Sequence, residues 1–247
     1  MRKTQGLNQD IIEFSTLETK CVYQENKKMK MEYKYIKNSP LDLNTKLVQR
    51  GWRRFGNYFS RPVCRSCHDC ISVKIDVENF KLSRSAKRVY KKNKEAKTKI
   101  LIKTPSSTPT HIKLYKKYHE YMNKKKGWEL YHISESSYYD LYVAGHSFYG
   151  KDILYFVDGK LVGVDIVDFL ADGISAIYFY YDPDYSFLSL GRYSIYKQIE
   201  FAKEMGLKWI YLGYAVENCD SLNYKFDYKP QKRLINNPNL EEEAIWL

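Results

Sequence analysis

The residues that most restrict what this chain can fold into lie between positions 152 and 214. ILYFVDGKLVGVDIVDF is a pair of apolar runs on either side of Asp158-Gly159. That dipeptide tolerates the positive φ angles of a two-residue hairpin, so it predicts two antiparallel strands joined by a tight turn. ISAIYFYYDP reads as a third strand, stopped at Pro183, whose ring leaves no N–H for a ladder. SLGRYSIYKQIEFAKEMGL carries apolar residues at helical spacing. Leu190, Ile195, Ile199, Ala202 and Met205 are expected to point inward, and Gly206 to close the helix. WIYLGY is then a strand whose expected partner is the strand before the helix.

An antiparallel meander followed by strand, crossover helix and strand is the core order of the N-acetyltransferase-like (GNAT) fold. We therefore expect an α+β protein with a GNAT-like C-terminal domain over residues 104–247. Residues 1–103 are expected to form a smaller, strand-rich, cysteine-containing N-terminal domain. Its landmarks are KMKMEYKYI, GWRRFGNYFSRP, a cysteine cluster, the alternating strand ISVKIDV and a basic helix. TPSSTPT at 104–110 reads as a linker and helix start. HIKLYKKYHEYMNKKK predicts a helix over 111–126, with Ile112, Tyr115, Tyr118 and Met122 on one side and Gly127 ending it.

Charge narrows the choice of partner. Lys and Arg number 41 against 29 Asp and Glu, a formal net charge of +12. Much of the excess is in SRSAKRVYKKNKEAKTK, where Arg84, Lys87, Arg88, Lys91 and Lys92 follow the spacing of one helical face. Gathering like charge on one face costs self-repulsion, so that face is expected to meet a polyanion, with nucleic acid the leading one. No apolar run approaches the roughly 18 residues that span a bilayer, so no membrane partner is expected. The start MRKTQGLNQDIIEF is broken by Asp10 and Glu13 and lacks the apolar block of a secretory signal. We expect a cytoplasmic protein with reduced thiols.

Three motifs carry chemistry. In RPVCRSCHDC, Cys64, Cys67 and Cys70 are evenly spaced and can converge on one ion only from a loop, because positions i and i+6 diverge on a helix. Cys21 and His68 are candidates for a fourth ligand of zinc. An iron–sulfur cluster would use the same thiols, and plain reduced cysteines are the bland alternative. In GWRRFGNYFSRP, Arg53, Arg54 and Arg61 stand among aromatic residues as a fork for carboxylate or phosphate, against a reading as snorkelling edge residues. In YYDPDYSFLSLGRYS, Asp182 and Asp184 flank a proline where GNAT sites place reacting groups; a solvated turn is the alternative. The turn into the helix keeps only Gly191, which disfavours the glycine-rich pyrophosphate cradle of acyl-CoA enzymes.

GWRRFGNYFSRPVCRSCHDC, FKLSRSAKRVYKKN, YYDPDYSFLSLGRYSIYKQIE and YLGYAVENCDSLNYKFDYKP occur in this order and together resemble the aminoacyl-tRNA–protein transferases, in particular the bacterial aspartate/glutamate leucyltransferase type. The resemblance implies transfer of an amino acid, leucine favoured and arginine open, from charged tRNA to a protein with N-terminal Asp or Glu, which marks that protein for degradation. It implies no cofactor beyond the charged tRNA. By motif position, Asp182, Tyr214 and Lys225 become catalytic candidates. Arg53, Arg54, Arg61, Ser189, Leu190, Gly191 and Tyr224 become substrate-binding candidates. Arg84, Lys87, Arg88, Lys91 and Lys92 would track tRNA. Cys21, Cys64, Cys67 and Cys70 would hold zinc or an iron–sulfur cluster. Relatives commonly have Leu-Pro after the early Cys-x-Tyr, whereas Cys21-Val22-Tyr23 continues here with Gln24-Glu25. Two rivals stand beside this reading. An acyl-CoA N-acetyltransferase would bind acetyl-CoA saturably. A noncatalytic metal-containing RNA-binding module would be indifferent to Asp182→Asn and Lys225→Ala.

Overall fold

The Asp158-Gly159 turn forms as its chemistry requires. Asp158 and Gly159 have φ of 48° and 78°, and Val157 pairs with Lys160 across them. The turn joins β10 (Gly150–Val157) to β11 (Lys160–Phe169), and β12 (Gly173–Tyr181) pairs antiparallel with β11. The crossover helix is α5 (Leu190–Glu204), which leads to β13 (Trp209–Ala215), parallel to β12 as expected. The computed structural model describes residues 2–6 and 9–247, with side chains from residue 11 onward.

Among the described residues, these strands belong to a mixed seven-stranded sheet. It is completed by β8 (Ile71–Asp76) and β14 (Gln231–Arg233) beyond β13, and by β9 (Lys99–Lys103) outside β10. The strand ISVKIDV therefore sits beside β13 rather than in the N-terminal unit. Its Val73 and Ile75 are apolar on a strand covered by the large core, where they bury more surface than on a small sheet. The large sheet thus draws β8 and β9 from before residue 104.

The large sheet is covered on both faces. On one lie α2 (Arg84–Glu95) and α5, with Val162, Val167, Ile174, Leu190 and Ile199 in the core between. On the other lie α3 (Pro109–Lys126) and the short α4 (Glu135–Tyr138), over Val164, Ile166, Ile177 and Tyr180. Thr108 caps α3 by accepting from the His111 N–H, and Gly127 ends it at φ 68°. Tyr115, Tyr118 and Met122 are buried as expected. Met205 is not: it is 56% exposed, because α5 ends at Glu204 and Met205 is already its C-cap.

The N-terminal unit is an antiparallel sheet in the order β1 (Arg2–Gly6), β2 (Gln9–Ser15), β5 (Met31–Ile36), β7 (Tyr58–Pro62) and β6 (Arg53–Phe55). Between its strands run the short hairpin of β3 (Thr19–Lys20) and β4 (Lys28–Met29) and the helix α1 (Leu41–Gln49). Ile36, Leu43, Leu47, Trp52 and Phe59 form its own small core. The buried Arg54–Asp168 pair pins β6 to β11. Among the described residues no helix is long and apolar enough to cross a membrane.

Candidate active site

The parallel pair β12–β13 is in register only at Gly173–Trp209, Ile174–Ile210 and Ser175–Tyr211. Above that point the strands part, and carbonyls on both sides lose their ladder partners. A buried carbonyl without a donor costs about 1–3 kcal/mol, so something must fill the gap. Arg53 fills it. Its guanidinium donates to the carbonyls of Ala176 (3.0 Å), Ile177 (2.9 Å) and Leu212 (2.9 Å). Gly213, at φ 71°, makes room: an added Cβ would sit 1.2 Å from Nη1 of Arg53.

The residues after β13 close over this wedge. Lys225, in the 3₁₀ turn Asn223–Asp227, is 9% exposed, and its Nζ donates to the Tyr214 carbonyl at 2.7 Å. Among the described residues no carboxylate lies within ion-pair distance of it. Burial first, then the neighbouring Arg53 guanidinium, hold its pKa well below the ordinary lysine value. The Tyr214 hydroxyl donates to the carbonyls of Gly51 (3.0 Å) and Ser60 (2.9 Å), so it braces the two units. Tyr224 is 37% exposed at the mouth, and Tyr23 stands near enough to Arg53 to feel its charge. The arrangement sets an amine of lowered basicity beside a fixed cation, both largely screened from bulk water.

Asp182 follows β12 directly, 2% exposed, with Lys117 Nζ at 2.5 Å and Lys160 Nζ at 2.8 Å. Burial alone would raise its pKa, but hydrogen bonds from Lys117, Lys160 and the Asp184 N–H bring it below the ordinary carboxylate value. It is therefore ionised at neutral pH. Lys117 and Lys160, which no sequence motif singles out, are distant in the chain. The only sequence signal for them is that a buried carboxylate at a strand end needs cations.

The arginine fork does not stand free. Arg54 is 2% exposed, bidentate to Asp168 at 2.7 Å through Nε and Nη2, with Nη1 on the Gly56 and Ala144 carbonyls. Arg61 donates to Glu32 (2.9 Å) and the Pro238 carbonyl (2.8 Å) and lies over Trp52. The expectation that these side chains are presented to a substrate gives way to internal roles. A guanidinium enclosed by protein must satisfy its donors there. Asp168, one of two carboxylates set among the apolar residues of β11, is the sequence signal for the Arg54 pair. Leu190 is likewise a core side chain, fully buried, so it can offer a substrate only its backbone. A Cβ at Gly191 would meet only the Phe179 ring, at 3.8 Å, so this turn has none of the crowding of a glycine-built phosphate cradle.

Cys21, Cys64, Cys67 and Cys70 line a cavity of about 430 Å³ with His68, Met31 and Tyr214. Burial, then the neighbouring thiols of Cys21, Cys64 and Cys67, push the Cys70 thiol up to about 12. The thiols thus converge, but among the described residues no three His, Cys, Asp or Glu side chains are grouped closely enough to hold a metal ion. Arg84, Lys87, Arg88, Lys91 and Lys92 are exposed on α2, whose Ala86, Val89 and Asn93 are buried.

Two family models match the chain: the arginine-tRNA-protein transferase N terminus over residues 19–88 and its C terminus over 110–235. The chain is 47% identical over 236 residues to an aspartate/glutamate leucyltransferase of Campylobacter jejuni, covering 95% of this chain and 98% of that one. It is 42% identical over 236 residues to one of Helicobacter hepaticus, covering 96% and 97%. The solved structure of FemX matches with a TM-score of 0.43 at 10% identity, covering 84% of this chain and 64% of that one, too distant to speak of function. With both family segments present in order and near-complete coverage of curated relatives, the chain belongs to the arginine-tRNA-protein transferase family.

Proposed function

We propose that this protein moves leucine from charged tRNA onto the α-amine of proteins beginning with Asp or Glu, marking them for degradation. The name shared by its relatives over nearly their whole length supports the reading. So does the cleft. An aminoacyl ester is already activated, so its aminolysis needs neither ATP nor CoA, in keeping with the uncrowded Gly191 turn. The acceptor nitrogen attacks the ester carbonyl carbon, a C–N bond forms, and the C–O bond to the ribose breaks. The ribose oxygen leaves with the proton the amine gives up.

The observation that carries the mechanism is Lys225, an enclosed amine beside the Arg53 wedge with no acidic partner among the described residues. An acceptor α-amine has an ordinary pKa of about 7.7–8.0, and Lys225, its own basicity lowered by burial and by Arg53, is our candidate to take its proton and pass it to the ribose oxygen. Arg53, its donors engaged with carbonyls, contributes charge to the developing oxyanion. The free N–H groups at the start of α5 add hydrogen bonds, each worth about 3 kcal/mol when well aimed. Asp182, already ionised and held by Lys117 and Lys160, orients the amine rather than deprotonating it. Tyr224 at the mouth and Tyr214 behind it shape the pocket for the acyl group and the acceptor residue, and the exposed face of α2 follows tRNA phosphates.

The remaining assignments rest on the same footing. The split parallel pair with α5 between its strands supports the GNAT-like class. A division at 103/104 is supported by the gap between the two family segments, from 88 to 110, with β8 and β9 reaching across it into the large sheet. Zinc or an iron–sulfur cluster on Cys21, Cys64, Cys67 and Cys70 is supported by the one cavity these soft thiols line, although they would have to draw closer to ligate it, and it would tie the β3–β4 hairpin to the segment after β7; no step of transfer passes through it.

The test offers Leu-tRNA or Arg-tRNA with peptides beginning in Asp, Glu or Ala. Leucine added to the acidic peptides alone is the expected result, and arginine-only transfer would overturn the leucyl assignment. Lys225→Ala should lower kcat about 10²–10⁴-fold, and Lys225→Arg should not restore it, since arginine stays protonated. Wild-type turnover in either variant would remove Lys225 from proton transfer.

A further inference from the structure

Between Asp182 and the start of α5 lies the 3₁₀ segment Pro183–Leu188. It holds Phe187 60% exposed, although Leu188 beside it is buried. The Tyr185 ring lies 6.2 Å from Phe187 at an interplanar angle of 27°, so the two rings are neighbours with roughly parallel faces. The surface is held in place from several sides. Lys92 of α2 donates to the Phe187 carbonyl at 3.0 Å, and Asn93 donates to that of Leu188 at 2.9 Å. Lys160 sits over Tyr185, 5.0 Å from its centroid. An aromatic ring left in water loses the burial it would have gained inside, so exposed Phe187, backed by half-buried Tyr185 and flanked by cations, calls for a planar, anionic partner.

We propose that Tyr185 and Phe187 are the platform on which the unpaired 3′ end of tRNA stacks as it passes from α2 into the split of β12 and β13. The proposal rests on the reading of α2 as the tRNA-binding face and deepens it. Lys92 belongs to the basic face and also touches the platform backbone, so phosphate contacts and the stacking surface are continuous. Bases present π faces whatever their identity, so such a platform accepts any terminal sequence. The carboxylates nearest it, Asp182 and Asp184, are paired with Lys117 and Lys160 and do not repel an incoming phosphate as free acids would. The segment ends at Leu188, and Ser189 links it to α5, so a strand guided along it arrives at the helix start where the ester is to react.

The experiment measures the affinity of the full chain for a leucine tRNA transcript, intact or trimmed of its unpaired 3′ nucleotides. Phe187→Ala should weaken binding of the intact transcript about tenfold, in line with the removal of one base–aromatic stack, and leave the trimmed one unchanged. Phe187→Trp should bind the intact transcript like wild type, whereas Phe187→Leu, apolar without a π face, should behave like the alanine variant. The double variant Lys87→Glu, Arg88→Glu should weaken both transcripts. Equal weakening for both transcripts, or none, on Phe187→Ala would overturn the platform while α2 keeps its role through the charge reversal. Charge reversal without effect would instead remove α2 and leave the platform to stand on its selective effect.

Discussion

At the scale of single residues the protein turns on the meeting of Arg53 and Gly213. A guanidinium can hold apart two strands only if it reaches carbonyls on both, and a side chain at position 213 would occupy its place. Gly213→Ala should therefore destabilise the fold by about 2–4 kcal/mol, combining the strain of a positive φ with a displaced wedge. In an Arg53→Ala background the same substitution should cost only about 1 kcal/mol, the conformational part. Chemical denaturation of the four proteins in the cycle measures this; equal costs in both backgrounds would mean that Gly213 is not there for Arg53. Nothing local to GWRRFG distinguishes Arg53 from Arg54 or Arg61, and by sequence all three read as a substrate fork. What separates them is the company each keeps: carbonyls of two strands, a buried carboxylate, or a glutamate and an indole ring.

At the scale of elements, local chemistry is enough for much of the fold. The hairpin at Asp158-Gly159, the helix from the capping Thr108 to Gly127 and the crossover into β13 all follow from short-range effects: turn angles, caps and periodicity. The basic face of α2 is of the same kind, because charge at helical spacing must share a face once the helix forms. Its partner is tested by salt. Charge reversal at Lys87, Arg88 and Lys91 should weaken tRNA binding and flatten the dependence of log affinity on log salt, by roughly 0.7–0.9 for each phosphate that is no longer neutralised. An unchanged slope would place the interface elsewhere. ISVKIDV shows the limit of element-level reading. Its alternation predicts a strand correctly, but alternation does not say which sheet a strand joins.

At the scale of the whole molecule, polar groups sealed between layers tie stability to pH. Asp165 of β11 is 1% exposed and accepts from Nε2 of Gln198 on α5 at 2.8 Å. Burial, opposed by that hydrogen bond and helped by the charge of Asp152, raises its pKa to about 7. Because this exceeds its unfolded value, the native state holds the proton longer. The stability this contributes is full below about pH 4 and is lost as pH rises toward 7. Asp165→Asn removes the titration, and its carboxamide can donate to Oε1 of Gln198, which now lacks a partner. At pH 8 that variant should exceed wild type by on the order of 2 kcal/mol, and at pH 5 the gap should close; the same difference at both pH values would refute the assignment. By itself the sequence determined the order of strands and helices, the basic helix and the family, because these depend on neighbours along the chain and on motifs kept in order. Only the tertiary structure decided that Arg53 wedges the split, that Arg54 and Arg61 serve the interior, and that Lys225 is enclosed with no acid beside it among the described residues. Those outcomes depend on which distant carbonyls and carboxylates folding brings within about 3 Å, and no local pattern encodes that distance.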